Sequence, residues 1–326
     1  TDWNITKDFS TVYAFEGKPW GNETLTEGQR HFKIIEAGVD QFGGNNEKGP
    51  VLEAYNLWVE KYGEKSARKR FEASAVRLLM NSFRTGLFEN PYCDVEYAVS
   101  FVGNEEHTAL NLEAARKSMT LLKNDGALPL TANAGQKILV CGPRAGDMMS
   151  LVGGWSSEQE GLTIAAAVAE YAGENDTVTY IADDVTAIAD AAKDADVVIV
   201  SVGEPSYQHD PPWSYDTLEI TASQQEILEA VKENTNGQII TVVTGGRPYI
   251  LTWCDENTNA ILEAYYPGQQ GGIAIAETLF GLNNPTGKTP LQFPRDMDSV
   301  NDQSGDVSFD LENPLYDYGW GLSYND

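Results

Sequence analysis

Positive charge is scarce in this 326-residue sequence. Lys and Arg number 22 against 49 Asp and Glu, so the net charge is −27 and the pI lies near 4.3. Nucleic acid is excluded, because its phosphates need a basic surface. Anionic membrane surfaces are excluded for the same reason. Long apolar runs are missing too. The longest is Ile164 to Ala169, far short of the roughly 20 residues of a membrane-spanning helix. Cysteine is rare. Cys93, Cys141 and Cys254 are odd in number and far apart, with no C-x-x-C spacing, so neither a disulfide framework nor a zinc site is expected. Cys141 and Cys254 sit in apolar, strand-like contexts and read as buried, inert thiols. The three histidines, His31, His107 and His209, argue against a multi-histidine metal centre. Neither dinucleotide glycine motif nor phosphate loop occurs. No metal and no cofactor are expected. The chain opens TDWNITKDF, without Met and without a basic-then-apolar leader, and reads as if it starts in mid-domain.

What is present is enough for a core. Apolar residues make up 41 %, and the length predicts about two domains. Residues 1–92 read as two or three helices. Leu52, Tyr55, Trp58 and Val59 share one helical face, and Phe71, Ala75, Leu78, Leu79 and Phe83 form a second stripe. Gly63 separates the two helices, and Gly86 suits a C-cap. Residues 93–110 lie in a stretch that mixes Pro, Asn, Gly and acids and read as a linker. From 111 to 326 strands alternate with helices. The strands are Lys137–Cys141, Val178–Ile181, Val197–Val202, Ile239–Val243 and Ala260–Ala264. The helices are Leu162–Tyr171, Ala187–Lys193, Ala222–Asn234 and Gly272–Phe280. Continuous apolar strands between helices predict a doubly wound, mainly parallel α/β domain. Its ligands are expected beyond the C-terminal strand ends, where Gly142, Gly203 and Gly268 fall.

Several residues there carry chemistry. Glu204 follows a strand directly, the right place for a general acid, although a solvated loop acid has the same signature. The loop after it holds Tyr207, His209, Asp210, Trp213 and Asp216. A lone histidine in such an acidic loop is more often a surface residue than a base. Gly153-Gly154 permits a tight turn, and Trp155 reads either as a sugar platform or as a core side chain. At the start, Asp2 and Trp3 read either as a nucleophile beside a stacking surface or as ordinary terminal residues.

Together these motifs resemble the C-terminal half of glycoside hydrolase family 3, the β-glucosidase and exo-glucanase family. The matching segments are TDW (1–3), AGVDQF (37–42), GLFENPYCD (86–94), KSMTLLKNDGALPL (117–130), GGW (153–155), VGE (202–204), GGRP (245–248), YPGQQGG (266–272), LFGLNNPTGKTPLQFPR (279–295) and PLYDYGWGLSY (314–324). Their order along the chain is the family's order.

The resemblance implies that residues 1–92 are the last two strands and helices of a (β/α)8-like barrel. It implies that Asp2 is the nucleophile at the seventh strand and Trp3 an aromatic wall. AGVDQF is then the eighth strand, with Gln41 and Phe42 on the pocket rim, and Trp155 lines the same cleft. Glu204 is then the acid/base, supplied by the α/β domain. The chain departs from the family at Gln159, where a second aromatic is usual, at Gln269-Gln270 and Leu282, and along Gln41–Asn46. The six upstream barrel strands that the family carries are expected as a partner half, in a separate chain or in upstream sequence. A homodimer is the other partner the reading allows. The activity implied is retaining, exo-acting β-glycosidase, foremost a β-glucosidase acting on β-glucosides or cello-oligosaccharides, in a bacterial periplasmic or secreted setting. A β-xylosidase of the same family and a non-catalytic sugar-binding α/β module are the alternatives. An N-acetylglucosaminidase fits less well, because such members use an upstream histidine and often lack this second domain.

Overall fold

The computed structural model describes residues 1–7, 9–10, 15–16, 21–156, 160–205, 216–303 and 309–325. The chain divides into two compact units, Thr1–Phe101 and Val102–Asp326. The boundary falls inside the stretch read as a linker. Much of that stretch is helical.

The first unit holds a short antiparallel pair, β1 (Phe9–Ser10) and β2 (Phe15–Glu16), then α1 (Glu27–Glu36), α2 (Lys48–Tyr62), α3 (Glu64–Arg84) and α4 (Val95–Phe101). α1 starts with a full capping box between Thr26 and Gln29, which satisfies two otherwise open backbone donors. Gly63 stands at φ 83° between α2 and α3, and Gly86 at φ 67° just past α3, as their spacing predicts. The expected eighth strand is not a strand. The segment 39–42 is irregular, and the parallel pairing of the TDW and AGVDQF segments comes down to one bridge, Trp3 to Gly43. Among the described residues no further strand flanks that bridge, so the ladder has nothing to extend it.

The second unit is an α/β sandwich. In chain order it comprises α5 (Glu105–Ser118), β3 (Thr120–Asn124), β4 (Lys137–Cys141), α6 (Met149–Val152), α7 (Ile164–Ala172), β5 (Thr177–Ile181), α8 (Val185–Ala192), β6 (Val197–Gly203), α9 (Ala222–Asn234), β7 (Gln238–Thr244), α10 (Thr252–Asn257), β8 (Ala260–Tyr265), α11 (Gly271–Leu279) and α12 (Met297–Asn301). The sheet order is β3-β8-β7-β6-β4-β5, parallel except where β3 pairs antiparallel with β8. Alternate residues of each central strand face opposite cores. Ile138, Val140, Ile199, Val242 and Leu262 pack with α5, α7 and α11. Leu139, Val198, Val200, Val243 and Ile261 pack with α8, α9 and α10. Thr163, Asp184 and Thr221 cap α7, α8 and α9 through their side chains. β6 and β7 approach so closely at their C-terminal ends that a Cβ on Gly203 would lie 1.8 Å from the Thr244 carbonyl oxygen.

Candidate active-site residues in each unit

In the first unit the site residues gather at the Trp3–Gly43 bridge. Asp2 is exposed, and its Oδ1 accepts the Trp3 backbone N–H at 2.6 Å. Trp3 is 53 % exposed and lays its indole on Gly44, where a Cβ would come within 2.6 Å of the ring. Gly44 stands at φ 67°, a second reason for glycine there. The Asn4 backbone N–H donates to the Gly43 carbonyl at 2.9 Å. Gln41 is exposed and Phe42 half-buried against His31, ring centroids 3.9 Å apart.

Behind this rim stand residues that sequence reasoning passed over. His31 is fully buried. Its Nδ1 donates to the Glu27 carbonyl at 2.7 Å, which leaves Nε2 to accept from the Asn45 amide at 3.3 Å. Asn45 also donates to the Glu27 side chain. Arg30, buried in α1, reaches the Thr6 carbonyl at 3.0 Å and so ties the TDW segment to the helix. Arg70 of α3 donates to the Ile35 and Val39 carbonyls and to Asp40. Ser74 and Arg77 bind the same carboxylate, and together these three hold the Asp40 acid down at about 2. A lone helical histidine and a Gly-Gly-Asn-Asn run were the sequence's only signals of this scaffold.

In the second unit Glu204 stands directly after β6, but its carboxyl is buried, at 4 % exposure. It is not a solvated loop acid. Oε1 accepts the Gly246 N–H at 2.7 Å, and Oε2 lies 3.4 Å from Arg247 Nε and has no hydrogen bond among the described residues. Tyr249 packs alongside; burial raises its hydroxyl well above the ordinary phenol range, and the neighbouring Glu204 carboxylate adds to that. Beneath this group lies a second carboxyl, Glu263 of β8. It is wholly buried, and burial raises its acid well above the usual range. Trp155 is 81 % exposed, which settles it as a surface ring and not a core one. Gln159, Tyr207, His209, Asp210 and Trp213 lie outside the described residues; Asp216 is exposed.

The thiols behave as expected. Cys141 and Cys254 are buried, and burial pushes both up to about 12. Among the described residues no group of three His, Cys, Asp or Glu could hold a metal, and no helix is long and apolar enough to cross a membrane.

Known proteins give this arrangement a context. The family model for the glycosyl hydrolase family 3 C-terminal domain matches residues 119–324. Beta-glucosidase C of Emericella nidulans is 29 % identical over 330 residues, covering 100 % of this chain and 47 % of that protein. A periplasmic beta-glucosidase/beta-xylosidase of Dickeya chrysanthemi is 26 % identical, covering 99 % of this chain and 45 % of that protein. A solved β-glucosidase from Erythrobacter marinus superposes with a TM-score of 0.72 at 29 % identity, over 93 % of this chain and 46 % of that one. The chain thus spans about half the length of the relatives it matches. The matched domain covers most of the α/β unit and includes Glu204, Arg247 and Glu263, and on that ground the chain belongs to glycosyl hydrolase family 3.

Proposed function

We propose that this chain supplies the C-terminal half of a retaining, exo-acting β-glycosidase that releases terminal glucose from β-glucosides or cello-oligosaccharides. The observation that carries the reading is the end-to-end alignment with a β-glucosidase, which takes in both Asp2 and Glu204. The Dickeya relative is named for xylosidase activity as well, so xylosides are the second substrate class. That relative's periplasmic setting supports export of the whole enzyme.

In the proposed mechanism the Asp2 carboxylate attacks the anomeric carbon while Glu204 passes a proton to the departing oxygen. Water then attacks the glycosyl–Asp2 ester, and Glu204 takes its proton. Trp3 offers the sugar an exposed ring face, and Trp155 an exposed ring in its own unit. Oε1 of Glu204 is tied to the Gly246 N–H, and Oε2 faces the Arg247 guanidinium at 3.4 Å. The glycone pocket also requires the upstream barrel half, which we propose as this chain's partner.

The test is hydrolysis of aryl β-glucosides by the full-length enzyme. Asp2→Asn should lower kcat by about 10³-fold or more. Glu204→Ala should lower it about 10²–10⁴-fold, with the larger loss on poor leaving groups. Azide should restore turnover to Glu204→Ala. A folded Glu204→Ala that azide fails to rescue removes Glu204 from the acid/base role and leaves it as the anchor of the 245–247 turn. The acid would then be sought in the loop that carries His209 and Asp210.

A further inference from the structure

Glu263 is a carboxyl for which the proposed mechanism has no use. It sits near the C-terminal end of β8, fully buried, on a strand paired on both sides by β3 and β7. Burying an acid there costs stability unless it is hydrogen-bonded and neutralised. Its contacts form a path toward Glu204. Oε1 of Glu263 accepts the Tyr265 backbone N–H at 2.9 Å. Tyr265 stands at φ 55°, a left-handed conformation that a bulky side chain adopts only under constraint. The pairing of β7 with β8 slips at the same point. Val243 faces Glu263 while Thr244 faces Tyr265, so Ala264 is an extra residue and the strand bulges. Such bulges redirect a strand end, and they concentrate beside functional sites. Here the redirected group is the Tyr265 carbonyl, which accepts the Gly245 N–H at 3.1 Å. The next amide, Gly246 N–H, is the one bound to Glu204 Oε1. The stem of Glu204 rests on the same turn: a Cβ on Gly245 would lie 3.1 Å from its Cγ.

We propose that Glu263 is a positioning residue: it holds the bulged, left-handed backbone at Tyr265 and thereby sets the Gly245–Gly246 turn that orients the Glu204 carboxyl. The proposal deepens the reading of Glu204 as acid/base and rests on it for its catalytic consequence, though not for its geometry. The path is made of backbone groups except at its two carboxyl ends. What the path asks of a side chain at 263 is an oxygen that accepts the Tyr265 N–H. Gln supplies one and Ala does not.

The experiment compares Glu263→Gln and Glu263→Ala in the full-length enzyme, with an aryl β-glucoside as substrate and the Gly246 amide resonance followed in glycine-labelled protein. Glu263→Ala should shift the Gly246 amide and lower kcat about 10- to 100-fold while KM moves less than about 3-fold. Glu263→Gln should keep both the resonance and kcat within about 3-fold of the unaltered enzyme. Should Glu263→Ala fail to fold, Glu263→Ala with Tyr265→Gly is the second variant. Glycine tolerates the left-handed backbone without help, so this pair should recover the amide position. An unmoved Gly246 amide in folded Glu263→Ala overturns the proposal. So does a Gln variant no better than Ala, and so does failure of the Tyr265→Gly pair to recover the resonance. Azide rescue of Glu204→Ala reports separately on the acid/base reading. If the amide moves as expected but azide does nothing, that reading fails and the positioning path stands.

Discussion

Asp40 shows how single residues organise the first unit. Three side chains of one helix, Arg70, Ser74 and Arg77, lie at successive turns of α3 and meet at its carboxylate. They hold its acid at about 2, below the ordinary carboxylate range. A folded-state value below the unfolded one stabilises the fold above the unfolded pKa and is lost as pH falls through the folded one. The contribution of Asp40 is therefore complete above about pH 4 and gone near pH 2. Glu36 and Glu47, also ion-paired in this unit, are shifted downward as well and act in the same sense. Melting midpoints of Asp40→Asn and the unaltered protein should differ at pH 6 and converge as the pH approaches 2. A gap that stays constant through that window would mean that Asp40 is not held as an anion in the fold. Asp40 was readable as part of AGVDQF, but its three partners were not, because they lie 30 to 37 residues downstream on a separate helix. The roles of Glu204 and Glu263 divide in the same way. A carboxylate after a strand is visible in a sequence, whereas the bulge that links it to a second buried carboxylate depends on how two strands pair.

At the scale of elements, the central strands of the second unit and its helices α7, α8, α9 and α11 were legible, whereas α5, α6, α10 and α12 were not. β4 and α9 have the boundaries that their apolar patterns predict, and β6, β7 and β8 extend them by a residue or two at their ends. The reason is physical, since fully buried parallel strands are continuously apolar and their helices carry polar caps. β3 was harder, because a short edge strand with Lys123 and Asn124 at its end lacks that continuity, and its register slips after Leu121. The stripe on α3 is the case where periodicity and burial part company. Of the stripe read from sequence, Phe71 is half-buried, yet Ala75, Leu78, Leu79 and Phe83 are exposed, as are Val76 and Met80 beside them and Leu87 and Phe88 just beyond. A stripe of that width normally faces a partner. We take the upstream half proposed above as the occupant of this stripe. Leu79→Glu with Phe83→Glu should lower binding of a hydrophobic dye by the isolated chain and leave its melting midpoint within about 2 °C. In the full-length enzyme the same pair should lower the midpoint by more than about 5 °C, because two charges would then be buried. An unchanged full-length midpoint would put the stripe on a free surface.

At the scale of the whole molecule the two units are unequal. The second carries two apolar cores, one on each sheet face, with fully buried Leu, Ile and Val side chains from most of its strands and helices. Among the described residues of the first, the buried apolar side chains are Ile35, Ala54 and Ala67. Its buried polar side chains are Asn4, Thr6, Arg30 and His31, and aromatic rings such as Phe32, Trp58, Tyr55 and Phe71 pack half-buried around them. A core of that size cannot offset the ordering of about 100 residues, each costing roughly 1–2 kcal/mol of backbone entropy. The second unit has what an autonomous domain needs. Residues 102–326 expressed alone should therefore unfold in one cooperative transition, with a stability of about 5–15 kcal/mol. Residues 1–101 alone should show helical circular dichroism without a cooperative melt. Supplying the upstream half of the barrel should give the first unit a sharp transition of its own. If residues 1–101 melt cooperatively by themselves, that unit does not depend on a partner, and the exposed stripe of α3 needs another explanation.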